Sequence, residues 1–273
     1  MENKKKKKRL RVFLLLLLFL IVFTPYFLWY QNHHLVRTDY IYSSELVSDS
    51  LSGFRIVQIS DLHNEVFGKD SENLVKMVRD AKPDIIVFTG DIVDSRHTDF
   101  DATLLFTSKA VEIAPCYYVT GNHEWRFEIE ERNILFKGMM EQGVNIIEDM
   151  EVDFNGFTLV GISDASLLDN ELKNMTYPDR LEVALCHKPQ YFDFYSESDA
   201  DLILSGHAHG GQFRLPFIGP VLSPGQGFFP KLAEGMHELN GTTMIVSRGL
   251  GNSRFPFRLF NYPEVVVVTL ERK

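Results

Sequence analysis

The sequence predicts an α/β protein behind an N-terminal transmembrane helix, and three observations carry that expectation. Apolar runs of strand length alternate with segments of helical spacing from residue 54 onward, the pattern of parallel β-α-β units. A charge-free stretch from Val12 to Tyr30 is about nineteen residues long, enough to cross a bilayer core as a helix. The 273 residues are 45% hydrophobic and 24% charged, ample for a core, and one domain of roughly 200 to 250 residues plus an appendage accounts for them.

Residues 1–11 carry seven basic groups (Lys4 to Lys8, Arg9, Arg11) against Glu2, a basic tail that the positive-inside rule keeps cytoplasmic. As a solvated or headgroup-binding tail it would also stay at the membrane surface. Residues 12–30 form the anchor, with Trp29 and Tyr30 at the far interface and the body extracytoplasmic. An uncleaved anchor is expected rather than a signal peptide, because TPYFLWYQNHH offers no small-x-small cleavage site. Residues 31–50 read as a linker and a first strand (VRTDYIYSSEL, 36–46), and 51–273 as the single domain.

Inside that domain FRIVQIS (54–60) is a buried strand. Helical spacing of Leu74, Met77, Val78 and Ala81 predicts a helix over 70–81, capped by Asp70/Ser71 and stopped by Pro83. Strand DIIVFT (84–89), a helix over 101–113, strand CYYVT (116–120), a helix near 127–142 and strand VNIIE follow. The rhythm then changes. Asn155-Gly156 marks a hairpin between EVDF and FTLVGIS, LEVALC (181–186) and DLILS (201–205) are strands, Asn240-Gly241 marks a second hairpin, and EVVVVTL closes the chain.

The formal net charge is −9, and setting aside the +6 of the basic tail leaves −15 on the rest. So acidic a body repels the phosphate backbone of nucleic acid, which is not an expected partner unless bound metal supplies positive charge locally. Cys116 and Cys186 sit in apolar runs and read as small buried residues, not as a disulfide.

The chemistry is signalled by position. Asp61-Leu62-His63 follows FRIVQIS, Gly90-Asp91 follows DIIVFT, Gly121-Asn122-His123-Glu124 follows CYYVT, His187 follows LEVALC, and Gly206-His207-Ala208-His209 follows DLILS. Ligand sites of open α/β sheets lie beyond the carboxyl ends of strands, where five such loops can meet. Residues i and i+2 leaving a strand project to one side, so Asp61 with His63, and His207 with His209, can each act as a pair. Singly each motif is a weak signal; in this order, each after a strand, they predict a metal site.

The series Asp61-x-His63, Gly90-Asp91, Gly121-Asn122-His123-Glu124, His187 and Gly206-His207-Ala208-His209 resembles the signature of the calcineurin-like metallophosphoesterases over about residues 50 to 255. Gly210-Gly211-Gln212 and Ser247-Arg248-Gly249-Leu250-Gly251 look like its bacterial, often membrane-associated branch. The family often has a glycine after the first pair, where this chain has Asn64-Glu65. The resemblance implies a four-layer α/β/β/α sandwich of two mixed sheets flanked by helices. It also implies two divalent metal ions, one held by Asp61, His63, Asp91 and His209, the other by Asp91, Asn122, His187 and His207. Asp91 bridges.

Two such ions polarise a bridging water to hydroxide for in-line attack on phosphorus. His123 is the expected catalytic residue, acting as imidazolium on the charged transition state or the leaving oxygen. The nitrogen and oxygen donors suit Mn, Fe or Zn. Arg248 and Arg254 are candidates for substrate phosphate. The expected substrate is a phosphodiester or pyrophosphate of a lipid-linked or cell-wall compound, with Phe213, Leu215, Phe217, Ile218, Phe228 and Phe229 as a lip for acyl chains. A phosphomonoesterase, or a metal-stabilised envelope-binding module with little turnover, is the alternative.

Overall fold

Nothing between Glu2 and His33 breaks helical hydrogen bonding except Pro25, and the whole segment forms one helix, α1 (Glu2–His33). In this computed structural model, residues 2–97, 99–154, 156–163, 179–198 and 200–273 are described. α1 runs past both ends of the apolar stretch, taking in the basic tail and the start of the expected linker, and its apolar side chains from Leu10 to Trp29 are mostly exposed. It is the one helix among the described residues long and apolar enough to cross a membrane.

The body is built on two mixed sheets. The first contains β1 (Val36–Ser44), β2 (Arg55–Ile59), β3 (Ile85–Thr89), β4 (Cys116–Val119), β5 (Val144–Ile146) and the C-terminal β16 (Glu264–Arg272), in the order β1-β16-β2-β3-β4-β5. β2 to β5 run parallel, and β16 pairs antiparallel with β2. The second contains β6 (Glu151–Phe154), β7 (Phe157–Gly161), β8 (Leu181–Leu185), β9 (Leu202–Ser205), β14 (Gly235–Leu239) and β15 (Thr242–Val246), in the order β14-β15-β9-β8-β7-β6.

Side-chain alternation along the strands separates three cores. Val57, Ile59 and Phe88 pack under α2 (Glu72–Ala81), α3 (Asp101–Val111) and α4 (Ile129–Gln142), whose Leu74, Phe106 and Leu135 are buried with them. Ile56, Val87 and Val266 face the other way and meet Leu159, Val183, Leu204 and Ile245 of the second sheet. Val160, Ala184, Ile203 and Met244 point outward again, against the short α5 (Phe192–Tyr195) and its loops. This is the expected four-layer sandwich. Because β3 and β8 are covered on both faces, every residue in them is buried, and they read as mostly apolar runs rather than alternating ones, with Glu182 the charged residue of β8.

The expected cap of α2 is not made: Ser71 occupies the position with φ 58° and no side-chain capping hydrogen bond. The helix ends at Lys82, also left-handed, just before Pro83. Both hairpins form. Asn240 (φ 53°) and Gly241 (φ 94°) link β14 and β15 in the doubly positive-φ turn that suits strand twist. Phe154 pairs with Phe157 across the other, where Asn155 lies outside the described residues. Two hairpins were not anticipated, β10 (Arg214–Leu215) with β11 (Gly219–Pro220) and β12 (Leu222–Ser223) with β13 (Gly227–Phe228), since two-residue strands leave no periodic signal.

Candidate metal centre

β2, β3 and β4 run parallel in one sheet and β8 and β9 in the other, and the loops leaving all five converge on one buried cluster. In its first part His209 Nε2 lies 3.5 Å from Asp61 Oδ1 and 3.3 Å from His63 Nε2. In the second, His187 Nε2 lies 3.2 Å from Asp91 Oδ2 and 3.1 Å from His207 Nδ1. Asp91 Oδ2 joins the parts, 3.9 Å from His63 Nε2. All these residues are buried.

The His207/His209 pair is split between the two parts, contrary to the same-side projection expected of i and i+2. That rule requires extended backbone. Asp61, His63, Asp91, His207 and His209 instead have φ between 49° and 64°, a left-handed conformation that non-glycine residues rarely take and that costs about 1–3 kcal/mol each. Five such residues in one cluster mark a place where packing holds strained backbone.

Close approach also explains two glycines. A Cβ on Gly206 would fall 1.8 Å from Ser60 Oγ and 2.4 Å from Asp61 Oδ2. On Gly121 it would fall 2.2 Å from Asp91 Oδ1. Gly121→Ala is therefore expected to push Asp91 out of place and lower the bound metal measured by mass spectrometry; full metal content would show that the loop yields instead.

The carboxylates are supported from behind. Ser60 Oγ–H and the His207 N–H donate to Asp61 Oδ2 at 2.6 and 2.9 Å, and the His123 N–H donates to Asp91 Oδ1 at 2.7 Å. Glu124, fully buried, accepts the N–H groups of Asp91 (3.1 Å), Ile92 (2.8 Å) and Gly121 (2.8 Å), tying the β3 and β4 loops together. Burial, then repulsion from Asp91, pushes its carboxyl up to about 7. This positioning role was missed; Glu124 stands in the quoted motif, but nothing local distinguishes a carboxylate that binds backbone from one facing solvent.

Electrostatics follow from packing two carboxylates among imidazoles. Burial pushes His63 and His207 down to about 3 and lowers His209 well below the ordinary range, so their ring nitrogens stay available as lone-pair donors. Burial also opposes charge on His187, but Asp91 and Asp61 outweigh it and raise His187 to about 10. Asp91 is correspondingly held well below the usual carboxylate range: burial raises it, and His187 overcomes that. Burial raises Asp61 to about 6.

His123 sits beside the cluster, its Nε2 4.0 Å from Asp91 Oδ2. The Ser95 N–H donates to its Nδ1 at 3.0 Å. The Arg126 guanidinium lies 3.4 Å from its Nε2, so N–H donors face both ring nitrogens, and burial lowers the pKa of the ring, which favours the neutral form over the expected imidazolium.

A cavity of about 330 Å³ opens over the cluster, lined by Asp91, Asn122, His123, His207, Arg254 and Phe255 among others. Arg254 is on its wall as expected. Arg248 is not: its guanidinium pairs with Glu264 at 2.9 Å and with Glu234 at 3.6 Å. Cys116 and Cys186 are both buried and are not joined in a disulfide.

The residues present fit divalent cations. Asn122 Oδ1 is a buried acceptor with no hydrogen-bond partner, and pairs of imidazole nitrogens face each other at about 3 Å with carboxylate oxygens between, an arrangement a cation resolves. A two-sheet sandwich with such a cluster at its strand ends is a metallophosphoesterase scaffold. The chain belongs to that family: the model of the calcineurin-like phosphoesterase family matches residues 54–211. It is similar to the metallophosphoesterase YkuE of Bacillus subtilis, at 34% identity over 88% of this chain and 86% of the relative. It also resembles the phosphodiesterase YaeI of Escherichia coli (25% identity, 81% of this chain, 84% of the relative). A third relative is the transmembrane protein with metallophosphoesterase domain of Danio rerio (25% identity, 84% of this chain, 55% of the relative).

Proposed function

We propose that this chain is a membrane-anchored phosphodiester hydrolase acting through two divalent cations on a lipid-linked or cell-envelope phosphoester. The observation that carries the reading is the pair of donor clusters meeting at Asp91 beside a cavity shared with His123. Asp61, His63, Asp91 and His209 would hold one cation, and Asp91, Asn122, His187 and His207 the other. Bound Mn, Fe or Zn would supply an activated water and neutralise phosphoryl charge.

The chain's own groups do the rest. His123, on the cavity wall, would donate a hydrogen bond from its ring to a phosphoryl or leaving-group oxygen. Arg254 offers its guanidinium to the phosphate from the cavity wall. Glu124 keeps the Asp91 and Gly121 loops in register.

Preference for a diester is supported by the similarity to YaeI, and anchoring by α1 together with the Danio rerio relative's transmembrane description. With Mn²⁺ added, the full chain is expected to hydrolyse bis-p-nitrophenyl phosphate faster than p-nitrophenyl phosphate. A higher monoester rate would reverse the assignment, and no rate on either would favour a binding module. The basic tail supports a body outside the cytoplasm under the positive-inside rule. Its digestion by protease in intact spheroplasts is the expected result, and full protection would invert the topology.

Loading the site is expected to release at least one proton at pH 8, because Asp91 and Asp61 raise His187 to about 10 and it must give up its proton to bind a cation, with ionisation of a metal-activated water adding to the count. Calorimetric Mn²⁺ titration in two buffers of different ionisation enthalpy reads the proton count. Identical heats in both would exclude His187 as the source.

A further inference from the structure

We infer that the two small hairpins beside the metal site, β10–β11 and β12–β13, form a second membrane contact that seats the rim of the catalytic cavity on the bilayer surface. The inference rests on the reading of α1 as a membrane anchor and deepens it, since it makes the lipid surface the side from which substrate arrives.

The first ground is exposure. Phe217 is 109% exposed, Phe228 74%, Phe229 64% and Ile218 58%. Single exposed apolar residues are ordinary, but four large ones within thirteen positions form a patch that water disfavours. Phe217 and Ile218 lie in the turn of the first hairpin, and Phe228 and Phe229 at the open end of the second, on hairpins too short to gain stability from burying them.

The second ground is continuity with the anchor. Phe27, within the apolar stretch of α1, packs edge-on against Phe260 of the body with ring centroids 5.7 Å apart. One turn further on, Tyr30 meets Tyr262 at 6.0 Å, and Asn32 Oδ1 accepts the Arg258 N–H at 2.9 Å. A body residue touching the apolar part of a spanning helix lies at the membrane boundary, where aromatic side chains are favoured. From there a ladder of backbone hydrogen bonds leads to the hairpins: Arg214 N–H to Leu259 O, Val221 N–H to Phe213 O, and Phe229 N–H to Val221 O, each 2.9 Å. The exposed phenyl groups therefore belong to a surface continuous with the docked end of α1.

The third ground ties the surface to the site. The same segment supplies Leu222, Ser223, Pro224 and Gly225 to the wall of the cavity. Gln212, just before the first hairpin, donates to Phe257 O at 2.7 Å and also lines the cavity. Apolar side chains on this rim, with no cluster of lysines, fit the acyl–headgroup boundary of a bilayer rather than an acidic protein partner.

The test uses the full chain reconstituted in phosphatidylcholine–phosphatidylglycerol vesicles. Cys116 and Cys186 are fully buried, so a cysteine introduced by Phe217→Cys or Phe228→Cys takes a polarity-sensitive NBD label selectively. Ile134→Cys, at an exposed position of α4 on the other side of the first sheet, is the control. Blue-shifted emission at 217 and 228, quenched by 5-doxyl phosphatidylcholine and absent at 134, is expected. Emission at all three sites matching that in water would overturn the inference. Carbonate extraction of the same vesicles keeps the two readings apart: protein removed by carbonate refutes the anchor, whereas resistant protein with water-like labels refutes only the hairpin contact. As a functional readout, the double variant Phe217→Glu/Phe228→Glu should lose more rate on a phosphoester lipid in vesicles than on soluble bis-p-nitrophenyl phosphate. Equal rates on both substrates, relative to the native chain, would also overturn the proposal.

Discussion

Asp91→Ala is expected to empty both cation positions and reduce hydrolysis of either chromogenic ester to the uncatalysed rate. Asp91 is the one carboxylate that belongs to more than one donor group among the described residues, 3.2 Å from His187 Nε2 and 3.9 Å from His63 Nε2. Its loss removes negative charge from a buried place where two dications would meet, which no neighbour replaces. The same side chain accepts the His123 N–H, so the variant also strands a buried donor at a cost of about 1–3 kcal/mol. Asp91→Asn keeps that acceptor and separates the two effects: both variants should lose metal, and compared metal-free by thermal melting the Asn variant should be the more stable of the two. Two cations per chain in either variant, by inductively coupled plasma mass spectrometry, would refute the bridging assignment.

His123→Ala is expected to keep both cations and lower turnover about 10²- to 10³-fold, the usual loss when one donor to a developing oxyanion is removed. The geometry divides His123 from the ligand groups although it lies within reach of Asp91 and His63. Its Nδ1 accepts the Ser95 N–H at 3.0 Å and the Arg126 guanidinium faces its Nε2 at 3.4 Å, so a cation would have to displace one of these donors. The loss should appear in kcat with KM nearly unchanged, because the donor strengthens its bond as charge develops. Loss of one cation with the fold intact would make His123 a ligand.

Most of the sandwich was legible in the chain. The runs FRIVQIS, DIIVFT, LEVALC and DLILS became β2, β3, β8 and β9 within a residue or two, because strands buried on both faces are dominated by apolar residues, with Gln58 and Glu182 as buried exceptions. The helix after Asp70 was found through Leu74, Val78 and Ala81, which do face the core, while its cap failed because backbone conformation at Ser71 is set by its surroundings. The hairpins of residues 214–228 stayed hidden because each strand is shorter than one alternation period.

The candidate donors themselves could be named from order and spacing, since each follows an apolar strand and strand ends are a local property of the chain. How those donors are shared out follows from neither order nor spacing, and only the resemblance assigned His207 and His209 to different cations. Asp61 and His63 share one donor group and His207 and His209 do not, although all four have positive φ, so the partition depends on how the two sheets pack, with Gly206 against Ser60 and Gly121 against Asp91. Arg248 turns to Glu264, His123 Nδ1 accepts the Ser95 amide N–H, and Phe260 meets Phe27, all through partners 16 to 233 positions away. Contacts at that range are written in no local pattern; they exist once the layers close, which is why the inventory of the site could be read in one dimension and its wiring only in three.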